Sequence, residues 1–470
     1  MQLSITIPPR PPRSARALHE LGEAMLRAGN PGGEAHLVEA VRLDPDYFEA
    51  AATLGRYLFQ CGSCERAIPF LERAATLRPE NPEVRLELAD SYLSTRRLDE
   101  AAAEFYRIHR EHPNRPVAVA GLAAVQAACG RIEQARELFE NALARHPENV
   151  WIGMHYSRFL LRVGDYARGW PLYEARRRAF LNRDVFNRPF IQPMWEGQSL
   201  AGKRLLITAE QGLGDEIMFA SIYPELIREA AHCTVECDYR LAPLLERSFE
   251  TTSVFGTERR SRTWHVNLER NLANLPAFDY WVPAGTLPLY RRPDAESFPA
   301  HAGYLKADDA RVAYWKQRLA ALGPGLKVGI SWRGGTAQTN SSARSMTLDQ
   351  MKPLLATGGA HFVSLQYGPR TEETNGSGVH HWQEAIDNYD ETAALVAALD
   401  VVVSVCTAVV HLAGALGRPV WVMAPFVPEW RYGHEGPSMI WYPSARIFRQ
   451  PALDDWQPVI DEVARQLNGA

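Results

Sequence analysis

Apolar side chains in the first third of the chain recur at helical spacing, and the pattern returns every 34 residues. Three trios of apolar residues are separated by four and then three positions, which places each trio on one face of a helix. The trios are Ala67, Leu71 and Ala74; Ala101, Phe105 and Ile108; and Ala135, Phe139 and Ala142. A repeated amphipathic helix of this kind predicts an array of similar helical units.

Proline follows each predicted helix at the same interval, at positions 45, 79, 113 and 147. Small residues recur upstream in the pairs Leu54-Gly55, Leu88-Ala89 and Leu122-Ala123, and glycines 62, 130 and 164 mark the turns between paired helices. Small residues permit close helix packing, and proline ends a helix. The pattern resembles the tetratricopeptide repeat, in which two antiparallel helices occupy 34 residues. We therefore expect a repeat domain over residues 14–180, preceded by an N-terminal tail at 1–13.

Arrays of such repeats form a concave groove that commonly holds a peptide or a protein. We expect the groove of this chain to bind a protein partner. The alternative is a purely structural array that packs against the rest of the chain.

Behind Trp195 the hydrophobic pattern changes to short apolar runs that alternate with helical stretches. The runs predict strands at 203–209, 233–237, 280–282, 327–332, 361–366, 400–405 and 419–423. The segments between them predict helices at 216–229, 241–249, 393–399, 408–416 and 455–467, with another that begins at Thr347. This alternation is typical of parallel, doubly wound sheets. We expect an α-helical solenoid followed by two Rossmann-like domains, at 195–305 and 306–470, that face a cleft.

Composition and charge exclude several classes of function. The chain is 46% hydrophobic and 23% charged, with a formal net charge of −4. Non-specific electrostatic binding of nucleic acid needs an excess of basic over acidic residues, so we expect no nucleic-acid partner. No run of about 18 uncharged apolar residues predicts a membrane span, and no basic segment leads into an apolar one as in a signal peptide. Six cysteines do not make a disulfide framework, so a cytoplasmic location is expected.

The first candidate site is the run from Glu210 to Glu216, which lies between a predicted strand and a predicted helix. Gly212 and Gly214 let the backbone turn tightly and approach a ligand. A third glycine is missing, so the run does not match the dinucleotide-binding fingerprint. Asp215 at the helix start is a candidate general base, and its alternative role is a helix N-cap.

The second candidate site follows the strand that ends near Ser331 and contains Trp332, Arg333 and Gly334. The guanidinium of Arg333 presents a rigid fork of donors that suits phosphate. Its alternative is a surface arginine in a turn. Arg344, just before the next predicted helix, could extend the same anion site.

The third candidate site lies where the predicted strand at 400–405 ends and the next predicted helix begins. The free N–H groups and the dipole of that helix favour an anion. Thr407 can cap the helix and donate to a phosphate, Ala408 begins it, and His411 lies one turn later. The alternative for His411 is a histidine packed in the core.

These motifs together resemble the heptosyltransferases of bacteria. The run Gly212-Leu-Gly214-Asp215 resembles the start of that family, and the segment from Asp400 to Pro419 resembles its later motif Asp-Thr-Gly-x-x-His-x-Ala. The resemblance implies the GT-B fold, with the Gly-x-Gly-Asp aspartate as base and the histidine-containing helix holding the donor diphosphate. Cys406 stands where the family has aspartate, and Ala408 replaces its glycine, so recognition of heptose is in doubt.

The chain is also similar to bacterial proteins that join tetratricopeptide repeats to a transferase domain of this type. The shared segments are Gly164–Trp170, Glu210–Asp215, Ser364-Leu-Gln366 and Pro419-Val-Trp421. Flagellin glycosyltransferases have this architecture: their repeats select flagellin, and their catalytic domain transfers a nonulosonic acid. The resemblance implies catalytic roles for Asp215 and His411, and a donor site made of Gly212, Gly214, Trp332, Arg333, Gly334, Arg344, Gln366, Thr407, Ala408 and His411.

Glycosyl transfer needs a base for the acceptor hydroxyl and positive charge near the leaving phosphate. The candidate residues supply both, and no set of metal ligands is evident, so we expect a metal-independent reaction without a cofactor. The resemblance implies a nucleotide-sugar donor, such as a CMP-linked nonulosonic acid, and O-glycosylation of Ser or Thr in flagellin. Two alternatives remain: a transferase for glycan or lipid-linked acceptors, and a non-enzymatic interaction protein.

Overall fold

The computed structural model describes residues 14–113, 115–179, 188, 190–260, 265–266, 275–335, 341–368 and 371–469. The expected N-terminal tail at 1–13 lies outside the described residues. The chain divides into two compact units. Unit 1 contains residues 1–146 and 336–343, and unit 2 contains residues 147–335 and 344–470. The predicted boundaries at 180, 195 and 305 remain predictions.

Unit 1 consists of paired helices, which confirms the helical repeats. The helices are α1 (Ala15–Arg27), α2 (Gly33–Leu43), α3 (Phe48–Gln60), α4 (Cys64–Leu77), α5 (Pro82–Ser94), α6 (Leu98–Glu111), α7 (Pro116–Ala128) and α8 (Ile132–Arg145). The three apolar trios are buried, as the spacing predicted. Gly55 lies so close to the next helix that a Cβ there would be 2.8 Å from Leu71.

The turns inside the repeats need a left-handed backbone. Gly62 and Gly130 have φ of 75°, and Gly164 has φ of 84°, so the predicted turn glycines are confirmed. Arg96 occupies the same phase with φ of 63°. A side chain in this region costs free energy, and glycine avoids that cost.

Unit 2 begins with helices α9 (Val150–Arg162), α10 (Tyr166–Tyr173) and α11 (Ala175–Ala179) and then forms two sheets. The first sheet is parallel in the order β3-β2-β1-β6, with β1 (Arg204–Thr208), β2 (His232–Asp238), β3 (Ser253–Thr257) and β6 (Tyr280–Pro283). Its helices are α12 (Leu213–Phe219), α13 (Tyr223–Glu229), α14 (Ala242–Ser248) and α15 (Leu287–Arg291). A small antiparallel pair joins β4 (Arg259–Arg260) to β5 (His265–Val266).

The second sheet has the order β11-β12-β10-β9-β7-β8, and only β11 is antiparallel to its neighbour. Its strands are β7 (Leu326–Ser331), β8 (Ala360–Ser364), β9 (Val401–Val405), β10 (Val420–Ala424), β11 (Ser438–Met439) and β12 (Tyr442–Arg449). The accompanying helices are α16 (Asp309–Ala320), α17 (Lys352–Leu355), α18 (Gln383–Asp387), α19 (Tyr389–Ala398), α20 (Ala408–Ala415) and α21 (Gln457–Asn468).

The predicted alternation of strands and helices is confirmed, with local corrections. The predicted helix at 216–229 is broken by a 3₁₀ turn at Ala220–Ile222, just before Pro224. Proline removes a backbone donor and disfavours a continuous α-helix at that point. The helix expected from Thr347 begins only at Lys352. Within the described residues, no helix has the length and apolarity needed to cross a membrane.

Candidate functional site

The strand orders place two reversal points in unit 2. In the first sheet β1 lies between β2 and β6, and in the second sheet β7 lies between β8 and β9. Ligands of open parallel sheets bind outside the carboxyl ends of the strands at such points. The loops that leave β1, β7 and β9 at their carboxyl ends carry the three predicted site segments.

The segment after β1 contains a buried carboxylate with a structural role. Glu210 is 2% exposed, and its two oxygens accept from Arg176 Nε at 2.9 Å and Nη2 at 2.8 Å. It also accepts from the backbone N–H of Gly285. Burial alone would lower the pKa of Arg176, but the charges of Glu210 and Glu174 outweigh it and raise the pKa. Glu210 therefore fastens α11 to the first sheet.

Asp215 lies at the third position of α12, whereas Gly212 occupies the N-cap position. The alternative role of Asp215 as the helix N-cap is therefore wrong. Its carboxylate is 17% exposed and pairs with Arg431, whose Nε donates to Oδ1 at 2.5 Å. The predicted base thus lies next to a cation that the sequence did not single out.

Arg431 follows β10 and reaches Asp215 across 216 residues of sequence. Its guanidinium lies 4.5 Å from the ring centre of Trp430, and Nη2 also donates to Gln211 Oε1 at 3.4 Å. Burial would lower the pKa of Arg431, but Asp215, Tyr173 and Glu429 together outweigh that effect and raise the pKa. One sequence signal could have indicated this residue: an arginine between two aromatic residues, just after a parallel strand.

His411 on α20 is 4% exposed, and both ring nitrogens lie near tyrosine hydroxyls. Nδ1 is 3.1 Å from the Tyr442 hydroxyl, and Nε2 is 3.4 Å from the Tyr432 hydroxyl. Burial, with smaller contributions from Arg431 and Arg344, lowers the pKa of His411 to about 3. This arrangement agrees with the alternative role, a neutral histidine held inside the protein.

Gly214 explains how α12 and α20 come together. A Cβ at this position would be 2.9 Å from His411 Cδ2 and 3.4 Å from Ala408 Cα. Only glycine leaves room for this contact, so Gly214 serves helix packing. Its neighbour Asp215 is thereby held beside the start of α20.

The loops after β7 and β9 lie on each other. Thr407 is the N-cap of α20, as predicted, and its Oγ1 accepts from the backbone N–H of Val409 at 3.2 Å. A Cβ on Gly334 would be 2.5 Å from Thr407 Cγ2. Ala408 is half-buried at the first turn of the helix. Gly334 and Thr407 therefore fix the two loops to each other, beside the N-terminus of α20.

Two residues that are predicted to bind the donor form hydrogen bonds within the protein. The side chain of Gln366 is buried, and its Oε1 accepts from the backbone N–H groups of Trp332 at 3.1 Å and Arg333 at 2.9 Å. Trp332 is 1% exposed, and its indole N–H donates to Glu373 Oε2 at 3.2 Å. Both side chains are engaged within the fold, and their contact with a donor stays a prediction.

Arginines gather at the carboxyl edge of the second sheet. Arg333 is 23% exposed on its side chain, and its Nη2 is 3.3 Å from Glu373 Oε2. The charge of Arg344 acts on Cys406 and His411, whose pKa values it helps to lower. Burial nevertheless raises the pKa of the Cys406 thiol to about 12. The position where heptosyltransferases have a carboxylate is thus a buried neutral group.

Arg449 at the end of β12 forms hydrogen bonds to the backbone of the loop that carries Arg431. Its guanidinium donates to the carbonyls of Tyr432 at 2.7 Å and Gly436 at 2.9 Å. Burial lowers the pKa of Arg449. Arg449 is therefore a positioning residue that fixes the backbone beside Arg431.

Helix α10 reaches the same site through aromatic contacts that the sequence did not predict. The ring of Trp170 is 5.5 Å from that of Trp430, edge to face. The side-chain amide of Gln211 donates to the Tyr173 hydroxyl at 2.9 Å. The helix that contains the shared junction segment therefore contacts neighbours of both Asp215 and Arg431.

Among the described residues, no group of three or more His, Cys, Asp or Glu side chains could hold a metal ion. The cations of the site are arginines. The site thus offers the guanidinium groups of its arginines as hydrogen-bond donors to an anion, and the carboxylate of Asp215 as a proton acceptor.

The comparisons found a relative that is similar over nearly the whole chain and several proteins that are similar over part of it. Protein FlbA of Caulobacter vibrioides is 33% identical over 473 residues, which covers 95% of this chain and 77% of FlbA. A family model described as tetratricopeptide repeat matches residues 62–125. Among solved structures, MamA of Desulfovibrio magneticus is similar over 36% of this chain and 93% of its own, with 18% identity and a TM-score of 0.30. The tetratricopeptide-repeat protein YrrB is similar over 29% of this chain and 72% of its own, with 21% identity and a TM-score of 0.28.

Proposed function

The chain belongs to the same family as Protein FlbA of Caulobacter vibrioides, and we propose that it is a glycosyltransferase with a protein acceptor. One observation carries the proposal: the Asp215 carboxylate pairs with Arg431 beside the start of α20, near the carboxyl ends of the parallel strands of both sheets. A base and an anion site in one place are what sugar transfer from a nucleotide donor needs.

In the proposed reaction Asp215 accepts the proton of an acceptor hydroxyl while the oxygen of that hydroxyl bonds to the anomeric carbon of the sugar. The bond from that carbon to the donor phosphate breaks, and the phosphate leaves with the electron pair. In this proposal Arg333, Arg344 and Arg431 stabilise the negative charge, together with the N-terminus of α20. We propose that these donors act in place of a metal ion, so EDTA should leave the rate unchanged.

We further propose that the two sheets of unit 2 are the two halves of a GT-B enzyme. Supporting this, the second sheet has five parallel strands in a doubly wound order, and the first has the order of a mononucleotide-binding half. The donor would bind the second sheet, where the arginines are, and the acceptor would approach Asp215 from the first.

The repeats of unit 1 are proposed to select the acceptor, since repeat arrays bind proteins through their groove. The resemblance to flagellin glycosyltransferases supports flagellin as acceptor, a nonulosonic acid linked to CMP as donor, and a cytoplasmic reaction. If this is right, residues 1–146 should bind flagellin, and residues 147–470 alone should modify it poorly. Equal modification by the 147–470 fragment would contradict a selective role for the repeats.

The function can be tested by intact-mass analysis of flagellin from a strain that lacks this protein. We expect flagellin to lose mass in multiples of one sugar and to regain it when the gene is restored. Unchanged flagellin, together with loss of a sugar from a cell-surface polysaccharide, would instead support a glycan or lipid-linked acceptor. No change in any glycan would support a non-enzymatic interaction protein.

A further inference from the structure

Arg431 contacts polar side chains of the protein in its observed position. Its Nε donates to Asp215 Oδ1 at 2.5 Å, Nη2 approaches Gln211 Oε1 at 3.4 Å, and Nη1 lies 3.8 Å from Glu429 Oε2. The side chain is 16% exposed, so the pair has an open edge. The proposed base is therefore occupied by a guanidinium, in an arrangement that blocks Oδ1.

The surroundings of this pair favour a second anion. Arg344 contributes positive charge near His411 and Tyr432, next to the pair. The N-terminus of α20 lies beside Gly214 and adds its own partial positive charge. His411 is neutral there, because burial lowers its pKa to about 3. A phosphate that enters this position meets the charges of Arg431 and Arg344 and the dipole of α20, together with the carboxylates of Asp215 and Glu429.

We propose that Arg431 binds the phosphate of the donor and gives up Asp215 when it does so, which makes the carboxylate available as the base. The proposal rests on the function proposed above. A guanidinium can form two parallel hydrogen bonds to a phosphate as it does to a carboxylate, so one replaces the other. Arg449 holds the backbone of the neighbouring loop through the Tyr432 carbonyl, so the exchange is assigned to the Arg431 side chain.

The exchange makes a prediction that a permanent pair does not. If Asp215 competes with phosphate for Arg431, removal of the carboxylate strengthens nucleotide binding. If Asp215 instead orients Arg431 toward the phosphate, removal of the carboxylate weakens binding. The two arrangements therefore differ in the sign of a single measured change.

The test is calorimetry of the full chain with CMP, UDP and GDP, and with cytidine, uridine and guanosine for comparison. Arg431→Ala should weaken binding of the preferred nucleotide about ten- to a hundredfold and leave binding of its nucleoside unchanged. The nucleotide affinity of Arg431→Lys should lie between those of the natural chain and Arg431→Ala, since lysine keeps the charge but not the paired N–H donors of the guanidinium. Asp215→Ala should bind the nucleotide about two- to tenfold more tightly, the worth of a weak ion pair.

The control is Arg446→Ala, because Arg446 is exposed on β12 and donates to Gln466 on α21. It should bind nucleotide like the natural chain. Unchanged affinity in Arg431→Ala, or weaker binding in Asp215→Ala, would overturn the exchange while leaving the transferase proposal intact. Absence of binding by the natural chain to every nucleotide would instead overturn the proposed function, and the exchange with it.

Discussion

Replacement of Trp170 by alanine removes a buried contact between helix α10 and the rest of unit 2. The indole is 1% exposed and lies 5.7 Å from the Tyr173 ring and 5.5 Å from the Trp430 ring, both edge to face. Its N–H donates to the Arg292 carbonyl at 2.8 Å. The substitution thus leaves both a cavity and an unpaired carbonyl.

The magnitude follows from these contacts. Truncation of a buried tryptophan costs about 3–5 kcal/mol, and the unpaired carbonyl of Arg292 favours the upper part of that range. For a large unit the urea dependence of the unfolding free energy is about 3 kcal/mol per M or more. Trp170→Ala should therefore lower the urea midpoint of unit 2 by at most about 1–1.7 M.

The assay is urea unfolding of the full chain followed by far-ultraviolet circular dichroism, with Trp151→Ala as the control. Trp151 is 41% exposed, so its loss should change the unfolding free energy by less than about 1 kcal/mol. Any separate transition of unit 1 should keep its midpoint in both variants. Equal midpoints for Trp170→Ala and Trp151→Ala would refute the view that α10 is built into the core of unit 2.

Three further predictions concern single positions. Arg96→Gly should stabilise unit 1 by about 1 kcal/mol in thermal or urea unfolding, because φ is 63°, while Gly130→Ala should destabilise it by a similar amount; the reverse signs would contradict the turn geometry. Burial keeps the pKa of His411 near 3, below its unfolded value of 6.5, so the natural chain should lose stability as the pH falls from about 6.5 toward 3. In the same acid titration the free energy of unfolding of His411→Asn should fall less steeply with pH, and a slope identical to that of the natural chain would contradict a buried neutral ring. Arg333→Ala should weaken nucleotide binding about tenfold or more by calorimetry, and unchanged affinity would remove Arg333 from the donor site.

The repeats were predictable because their information is local. One 34-residue period carries the helix faces, the small residues and the turn glycines, and each of these acts between neighbours in sequence. Arg96 shows the limit of such patterns, since it adopts the turn conformation without the glycine that marks it elsewhere.

The strands of unit 2 were predictable where they are continuous apolar runs, as buried parallel strands require. Strand β12 at Tyr442–Arg449 escaped prediction because it contains Pro443 and the exposed Arg446. Helix α16 at Asp309–Ala320 was also missed, although Asp308 caps it and accepts from the N–H of Arg311.

The candidate site was predictable in position but not in its contacts. The loops after β1, β7 and β9 were identified from the order of elements alone. The pair of Asp215 and Arg431 joins residues 216 positions apart, which no local pattern encodes. Likewise, nothing in the residue types of Gln366 and His411 reveals that tertiary packing has already engaged their polar atoms.

The central claim is that Asp215 is the base of a sugar transfer to a protein hydroxyl. The most direct measurement is the rate at which purified natural chain, Asp215→Asn and Asp349→Asn add mass to flagellin with a CMP-linked nonulosonic acid. Asp349 is a matched control, because its side chain is 82% exposed and pairs only locally with Lys352 among its described contacts. Asparagine keeps the shape of Asp215 and can still accept from Arg431, but it cannot take the acceptor proton. The account predicts a rate about 100- to 10,000-fold lower for Asp215→Asn and an unchanged rate for Asp349→Asn. A folded Asp215→Asn protein that transfers sugar at the natural rate would contradict it.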